Sequence, residues 1–184
     1  GNYDKGLRAA LAGKFNLHHP PTNCGPSAGG AKNIANWLGA FDQPGRHWDV
    51  ISFNHGHWDS KNDKGTYQEN LEKIIAHLKK TKAKLIWVTT CPVPNGFDKA
   101  DALDANGKAP GRTAGVMQKY LNPWAMEVMK RYPEISICDQ WQYCKDNENG
   151  IYKDWWAGKN VHFKGAPADG LGQFLGNHVV NISQ

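Results

Sequence analysis

The sequence has no apolar stretch approaching the ~18 residues that a membrane-spanning helix requires, so no bilayer-crossing helix is expected. Its four cysteines (Cys24, Cys91, Cys138, Cys144) include no Cys-x-x-Cys pair, which argues against a structural zinc site. Cys138 and Cys144 are close enough in sequence to bridge in an oxidising compartment. No repeat, low-complexity tract or long linker divides the chain, and no recognised nucleic-acid motif occurs. What remains is the composition of a globular protein, 40% hydrophobic and 21% charged over 184 residues. One domain spanning residues 1–184 with a sizeable core is expected. A net charge of +5 would suit an acidic partner. The lysines, however, sit mostly on helices and in their last turns, as in "HLKKTKAK" (77–84), where they complement the helix dipole and form a solvated face. Neither nucleic acid nor a membrane is therefore the expected partner. Eight tryptophans and six tyrosines offer faces on which sugar rings can stack. The opening "GNYDKG" does not read as a natural start, so a removed leader and a secreted or periplasmic location are compatible with it.

Along the chain, helical and strand patterns alternate. Residues 3–12 read as a helix stopped by Gly13. "KFNLHH" (14–19) is a strand candidate ending at Pro20, and 29–38 is a helix stopped by Gly39. A strand at 48–54 precedes a helix with a Thr66–Glu69 capping box and Leu71, Ile74, Ile75 and Leu78 on one face. "KLIWVTT" (84–90) reads as a fully buried strand, followed by a long Pro/Gly/Asp-rich loop over 91–112 of the kind that often carries function. A helix over about 113–131 is expected to restart at Asn122, because Pro123 would break an interior turn. "EISICD" (134–139) is a further strand, and a last helix covers about 169–180. This alternation specifies a parallel sheet with helices on both faces. The chain opens on a helix where such a domain opens on a strand. A strand preceding residue 1 is therefore expected.

In an open parallel sheet, ligands bind outside the carboxyl ends of the strands. The segments leaving those ends are 19–30, 54–63, 89–97 and 139–144, with "GKNVHFKG" (158–165) just before the final helix. His55 and His57 have no evident third partner for a metal, and His18 and His19 would point opposite ways on a strand. The alternative is nucleophilic hydrolysis, which needs oxyanion donors and an imidazole base. Gly25 and Asn54 are candidates for the first and His162 for the second.

These segments resemble the SGNH (GDSL-type) esterases. "NCGPSAGG" (23–30) is similar to the second block of that family, "FNHGHWD" (53–59) to the third, and "NVHFKGAPADGLGQFLG" (160–176) to the last. The resemblance implies a three-layer α/β/α fold with a flavodoxin-like parallel sheet, here lacking its first strand. It also implies ester hydrolysis without a cofactor or metal. Gly25 N–H and Asn54 would then hold the oxyanion, with His162 as base. The substrate would be a small-molecule or glycan ester, with an acetylated carbohydrate favoured by family habit and aromatic content. The chain departs from the pattern in three ways. The Gly-Asp-Ser block with the nucleophilic serine is expected upstream of residue 1, since Ser27, Ser52 and Ser60 lie elsewhere in the pattern. Trp58 stands at the usual oxyanion asparagine. Lys159 stands where the acid usually precedes the histidine, leaving Asn160, Asp154 or no residue as its orienter. Asp59 is expected to brace the loop after its strand. Trp58, Trp141, Trp155 and Trp156 are candidates for the cleft wall. Two other readings remain: a carbohydrate-binding relative that has lost the serine, and a metal-dependent hydrolase using His55 and His57.

Overall fold

The computed structural model describes residues 3–93, 102–154 and 161–184. Expectations for Trp155, Trp156, Lys159 and Asn160, and for 94–101 of the long loop, lie outside the described residues. The elements are α1 (Asp4–Leu11), α2 (Ser27–Leu38), β1 (Val50–Phe53), a 3₁₀ turn (His57–Asp59), α3 (Lys64–Lys80), β2 (Lys84–Val88), α4 (Ala114–Val116), a π turn (Met117–Leu121), α5 (Asn122–Met129), β3 (Ser136–Cys138), α6 (Gln140–Asp146) and α7 (Ala166–Ser183).

The three strands are parallel in the order β1-β2-β3, with Val50 opposite Lys84 and Ile86 opposite Ser136. Alternation along β2 divides the core in two. Leu85 and Trp87 join Ile34, Leu71, Ile74, Ile75, Leu78, Ala125 and Val128 from α2, α3 and α5. Ile86 and Val88 join Leu7, Leu11, Leu175 and Val179 from α1 and α7. Helices thus cover both faces, because a central parallel strand that is apolar on both sides can only be buried that way. The fold is α/β with three α/β/α layers, as the alternation and the resemblance imply. α1 and α7 lie backbone to backbone: a Cβ on Gly172 would stand 2.1 Å from the Tyr3 carbonyl oxygen.

Four local features bear on these expectations. First, α3 is capped by Asp63, not by a Thr66–Glu69 box. The Asp63 carboxylate accepts from Thr66 N at 2.9 Å and from Thr66 Oγ1 at 2.8 Å, which starts the helix at Lys64. Glu69 instead pairs with Lys73 at 2.8 Å, one turn on. Second, the expected restart is found: α5 begins at Asn122 with Pro123 in its first turn. With no N–H there to continue the ladder, the preceding turn widens, and Asn122 N–H bonds the Met117 carbonyl. Third, α6 is a seven-residue helix capped by Asp139, too short to show a hydrophobic period. Fourth, residues 14–19 form no strand. A strand exists only through its neighbour, and β1 pairs on one side alone, with β2. On its other side β1 carries no ladder among the described residues, and Ser52 is exposed in mid-strand. Phe15 and Leu17 still rest on the α1/α7 core, and with Arg8, Leu11, Asn16 and His18 they line an open groove of about 500 Å³.

Candidate active site

The carboxyl end of β1 delivers Asn54, His55 and Gly56 into a set of contacts with the neighbouring loops. Asn54 Nδ2 donates to the Val88 carbonyl at 2.7 Å and to Thr90 Oγ1 at 3.0 Å, tying the ends of β1 and β2 together. Gly56 is required by this closeness, since a Cβ there would lie 1.9 Å from Thr90 Oγ1. The Thr90 amide and carbonyl are in turn bonded to the side chain of Asn122, at 2.8 and 2.9 Å.

Asp59 is fully buried, and its carboxylate holds the loop that begins α2. It accepts from Ser27 N at 2.9 and 3.1 Å, from Ser27 Oγ at 2.5 Å and from Asn62 Nδ2 at 2.8 Å. Asn70 Nδ2 closes the network on Ser27 Oγ at 3.1 Å. Burial raises the Asp59 pKa, against the opposing pull of the Ser27 and Asn62 bonds and of His55. His55 is also buried. Its Nδ1 donates to the Gly25 carbonyl at 3.1 Å, and burial lowers its pKa. Tyr67 donates to the His55 carbonyl at 2.5 Å. Asp59 and His55 therefore fix the backbone on both sides of Pro26, where Gly25 adopts φ +62°, a conformation that favours glycine. Asp59 braces the loop after its strand through Asn62, as expected, and also holds a second loop 32 residues upstream through Ser27.

Beside this brace, the 3₁₀ turn positions His57 and Trp58. His57 Nδ1 is sealed from solvent without a hydrogen-bond partner among the described residues. Its pKa is lowered to about 3, first by burial and then by the charges of Arg112 and His162. The Arg112 guanidinium lies over the Trp58 indole, 3.9 Å from its centroid. The titration of His57 carries a pH consequence. Its folded pKa of about 3 lies below the unfolded 6.5, so on acidification the unfolded chain takes up this proton first. The stabilising effect of a neutral His57 is complete above pH 6.5 and is lost as pH falls from 6.5 towards 3. In thermal melts of wild type and His57→Phe across this range, the wild-type advantage should decline by up to ~1.4 kcal/mol per pH unit. A pH-independent difference would contradict the assignment.

Of the residues singled out from sequence, His162 is exposed just ahead of α7, within electrostatic reach of His57. Gly25 N–H bonds Asn23 Oδ1 at 2.9 Å, so both candidate oxyanion donors hold internal acceptors. Asp154 is exposed in a turn, Trp141 packs into the α2/α3 core, and Asn160 lies outside the described residues. No serine of the chain is described as a partner of His162. Ser27 is buried against Asp59, Ser52 lies in mid-strand, Ser60 is buried, and Ser183 bonds the Val179 carbonyl. Ser136 does bond His178 Nε2 at 2.7 Å, but at the amino end of β3, where it ties α7 to the sheet. All four cysteines are thiols, and the thiol against Cys144 is that of Cys91. Among the described residues, no group of three His, Cys, Asp or Glu side chains is placed to hold a metal. Arg112 was missed in sequence reading, and no local signal marks it, since its partner Trp58 is 54 positions away.

No protein-family model matches the chain, and no curated protein matches it in sequence. Among solved structures it is similar to an acetyl esterase, determined as a serine-to-alanine variant with an acetate ion. The similarity has a TM-score of 0.57 at 14% identity and covers 98% of this chain and 88% of that one. The two share a fold.

Proposed function

We propose that the protein is an SGNH-type ester hydrolase that removes acyl groups, acetyl above all, from a carbohydrate. One observation supports this reading: on a fold shared with an acetyl esterase, the exposed His162 lies within electrostatic reach of His57, three residues beyond Asn54. A strand-end amide and an exposed imidazole at the carboxyl ends of a parallel sheet are what acyl transfer uses. In this mechanism a serine attacks the ester carbonyl while His162 takes its proton. The Gly25 N–H, the Asn54 amide and the serine's own N–H hold the tetrahedral oxyanion. His162 then returns the proton to the leaving alcohol and activates the water that hydrolyses the acyl-enzyme. For Gly25 and Asn54 this means exchanging Asn23 Oδ1 and Thr90 Oγ1 for the substrate oxygen. The proposed serine would lie on a strand paired with the edge of β1 that carries no ladder among the described residues.

The test is covalent capture. A polypeptide carrying that strand should hydrolyse a chromogenic acetyl ester and be labelled by a fluorophosphonate on one serine outside residues 1–184. Residues 1–184 alone should do neither. Absence of both labelling and turnover in the longer polypeptide would overturn the reading. The location of the chain's five serines favours a second reading, a carbohydrate-binding relative without the nucleophile. Glycan binding without turnover by the longer polypeptide would establish it.

A further inference from the structure

We infer that Arg112, stacked on Trp58, is a recognition point for a carboxylate, so that the glycan bound at this strand end is an acidic one containing uronic acid residues. The inference rests on the hydrolase reading only for the word substrate; the anion site itself stands on four observations. Arg112 is half-buried, and it has neither an ion pair nor a hydrogen-bond acceptor among the described residues. The chain's other arginines differ: Arg8 is held by Asp4 at 2.7 Å, Arg131 by Glu72 at 2.6 Å, and Arg46 is exposed. The carboxylate of the adjoining turn, Asp59, is already engaged by Ser27 and Asn62. Finally, Trp58 is 43% exposed, a large indole left at the rim of a strand end with the cation seated on its face.

The physical consequence is direct. Contact with the π face uses the charge of the guanidinium and none of its hydrogen-bonding capacity, so its planar N–H fork stays available and is held in place by the stack. A guanidinium partly withdrawn from water, with no counter-ion among the described residues, gains most from a ligand that supplies a planar carboxylate in two parallel N–H···O bonds. The exposed remainder of the Trp58 indole offers an aromatic surface suited to a pyranose ring. A uronic acid residue presents both groups together, and a neutral sugar only the second. His57 is the titratable group that the charge of Arg112 reaches; held well below its usual range, it stays neutral and does not compete for the anion.

The test is binding by the 184-residue chain, read by calorimetry with an oligogalacturonate and a neutral xylo-oligosaccharide of equal length. Wild type should prefer the oligogalacturonate. Arg112→Gln should weaken that binding about 10- to 100-fold and leave the neutral ligand unchanged. Arg112→Lys, which keeps the charge and loses the fork, should fall between them and serves if Arg112→Gln does not fold. Equal affinity of wild type for the two oligosaccharides, no binding of either, or an unchanged preference in Arg112→Gln or Arg112→Lys would each overturn the inference. Because no turnover is measured, the two readings fail separately. Preference without any acyl-enzyme sinks only the hydrolase, and ester hydrolysis without preference sinks only the anion site.

Discussion

Replacing His162 by alanine is expected to lower acetyl ester hydrolysis 10²- to 10⁴-fold in kcat, with KM for a small ester little changed, in a polypeptide carrying the serine strand. The expectation follows from where a histidine in this position acts. In the proposed mechanism it takes the proton only as the serine attacks and returns it only as the alcohol leaves, which stabilises the transition state and not the bound ester. In free energy the loss is about 3–5 kcal/mol of barrier. Being exposed ahead of α7, His162 can be removed with little effect on the core. Its variant should melt with wild type, which separates chemistry from folding. A rate within threefold of wild type would remove His162 from the mechanism.

The second large effect is on folding and centres on Asp59. Asp59→Ala strands the Ser27 amide, the Ser27 hydroxyl and one Asn62 N–H in a site from which water is excluded. A buried donor left without an acceptor costs about 1–3 kcal/mol, and more where the lost acceptor was charged. The ionised carboxylate is itself disfavoured by burial, as its raised pKa shows, and that relief offsets part of the loss. The expected net cost is about 3 kcal/mol, which for a chain of this size lowers Tm by about 10 °C. The two Asp59 effects also separate with pH. A folded pKa raised above the unfolded 3.8 means that stability falls as pH climbs from 3.8 through the folded value. The penalty of Asp59→Ala should therefore be largest at the acid end of that window, in melts that the His57 titration affects equally. Amide exchange at Ser27 and the first turn of α2 should accelerate most. An unchanged Tm and unchanged exchange at Ser27 would show that the carboxylate does not hold this loop.

Sequence reading reached some parts of this molecule well, and the reason is locality. The faces of α3 and α7, the stops at Gly13 and Gly39, and the apolar runs of β1, β2 and β3 are all written within a few consecutive residues. A 3.6-residue or two-residue period needs no knowledge of the partner. The misses are equally consistent. Whether "KFNLHH" is a strand depends on a neighbour to share its N–H and C=O groups, and no stretch of six residues encodes that. Asp63 displaced Thr66 as cap by lying three residues upstream with the better-placed oxygen.

The site divides along the same line. Which residue types stand at the strand ends, an amide at 54, an imidazole at 162, a glycine at 25 and a carboxylate at 59, is a property of the sequence alone, as is the expectation that they gather at one end of a parallel sheet. What those groups do there was decided only by the tertiary structure. It joined Asp59 to Ser27 across 32 positions, turned the Asn54 amide onto the end of β2, sealed His57 Nδ1 from solvent, and stacked Arg112 on Trp58 from 54 positions away. Hydrogen bonds, burial and ring stacking act through distances in space, and a linear pattern carries those distances only where the backbone period is short and regular.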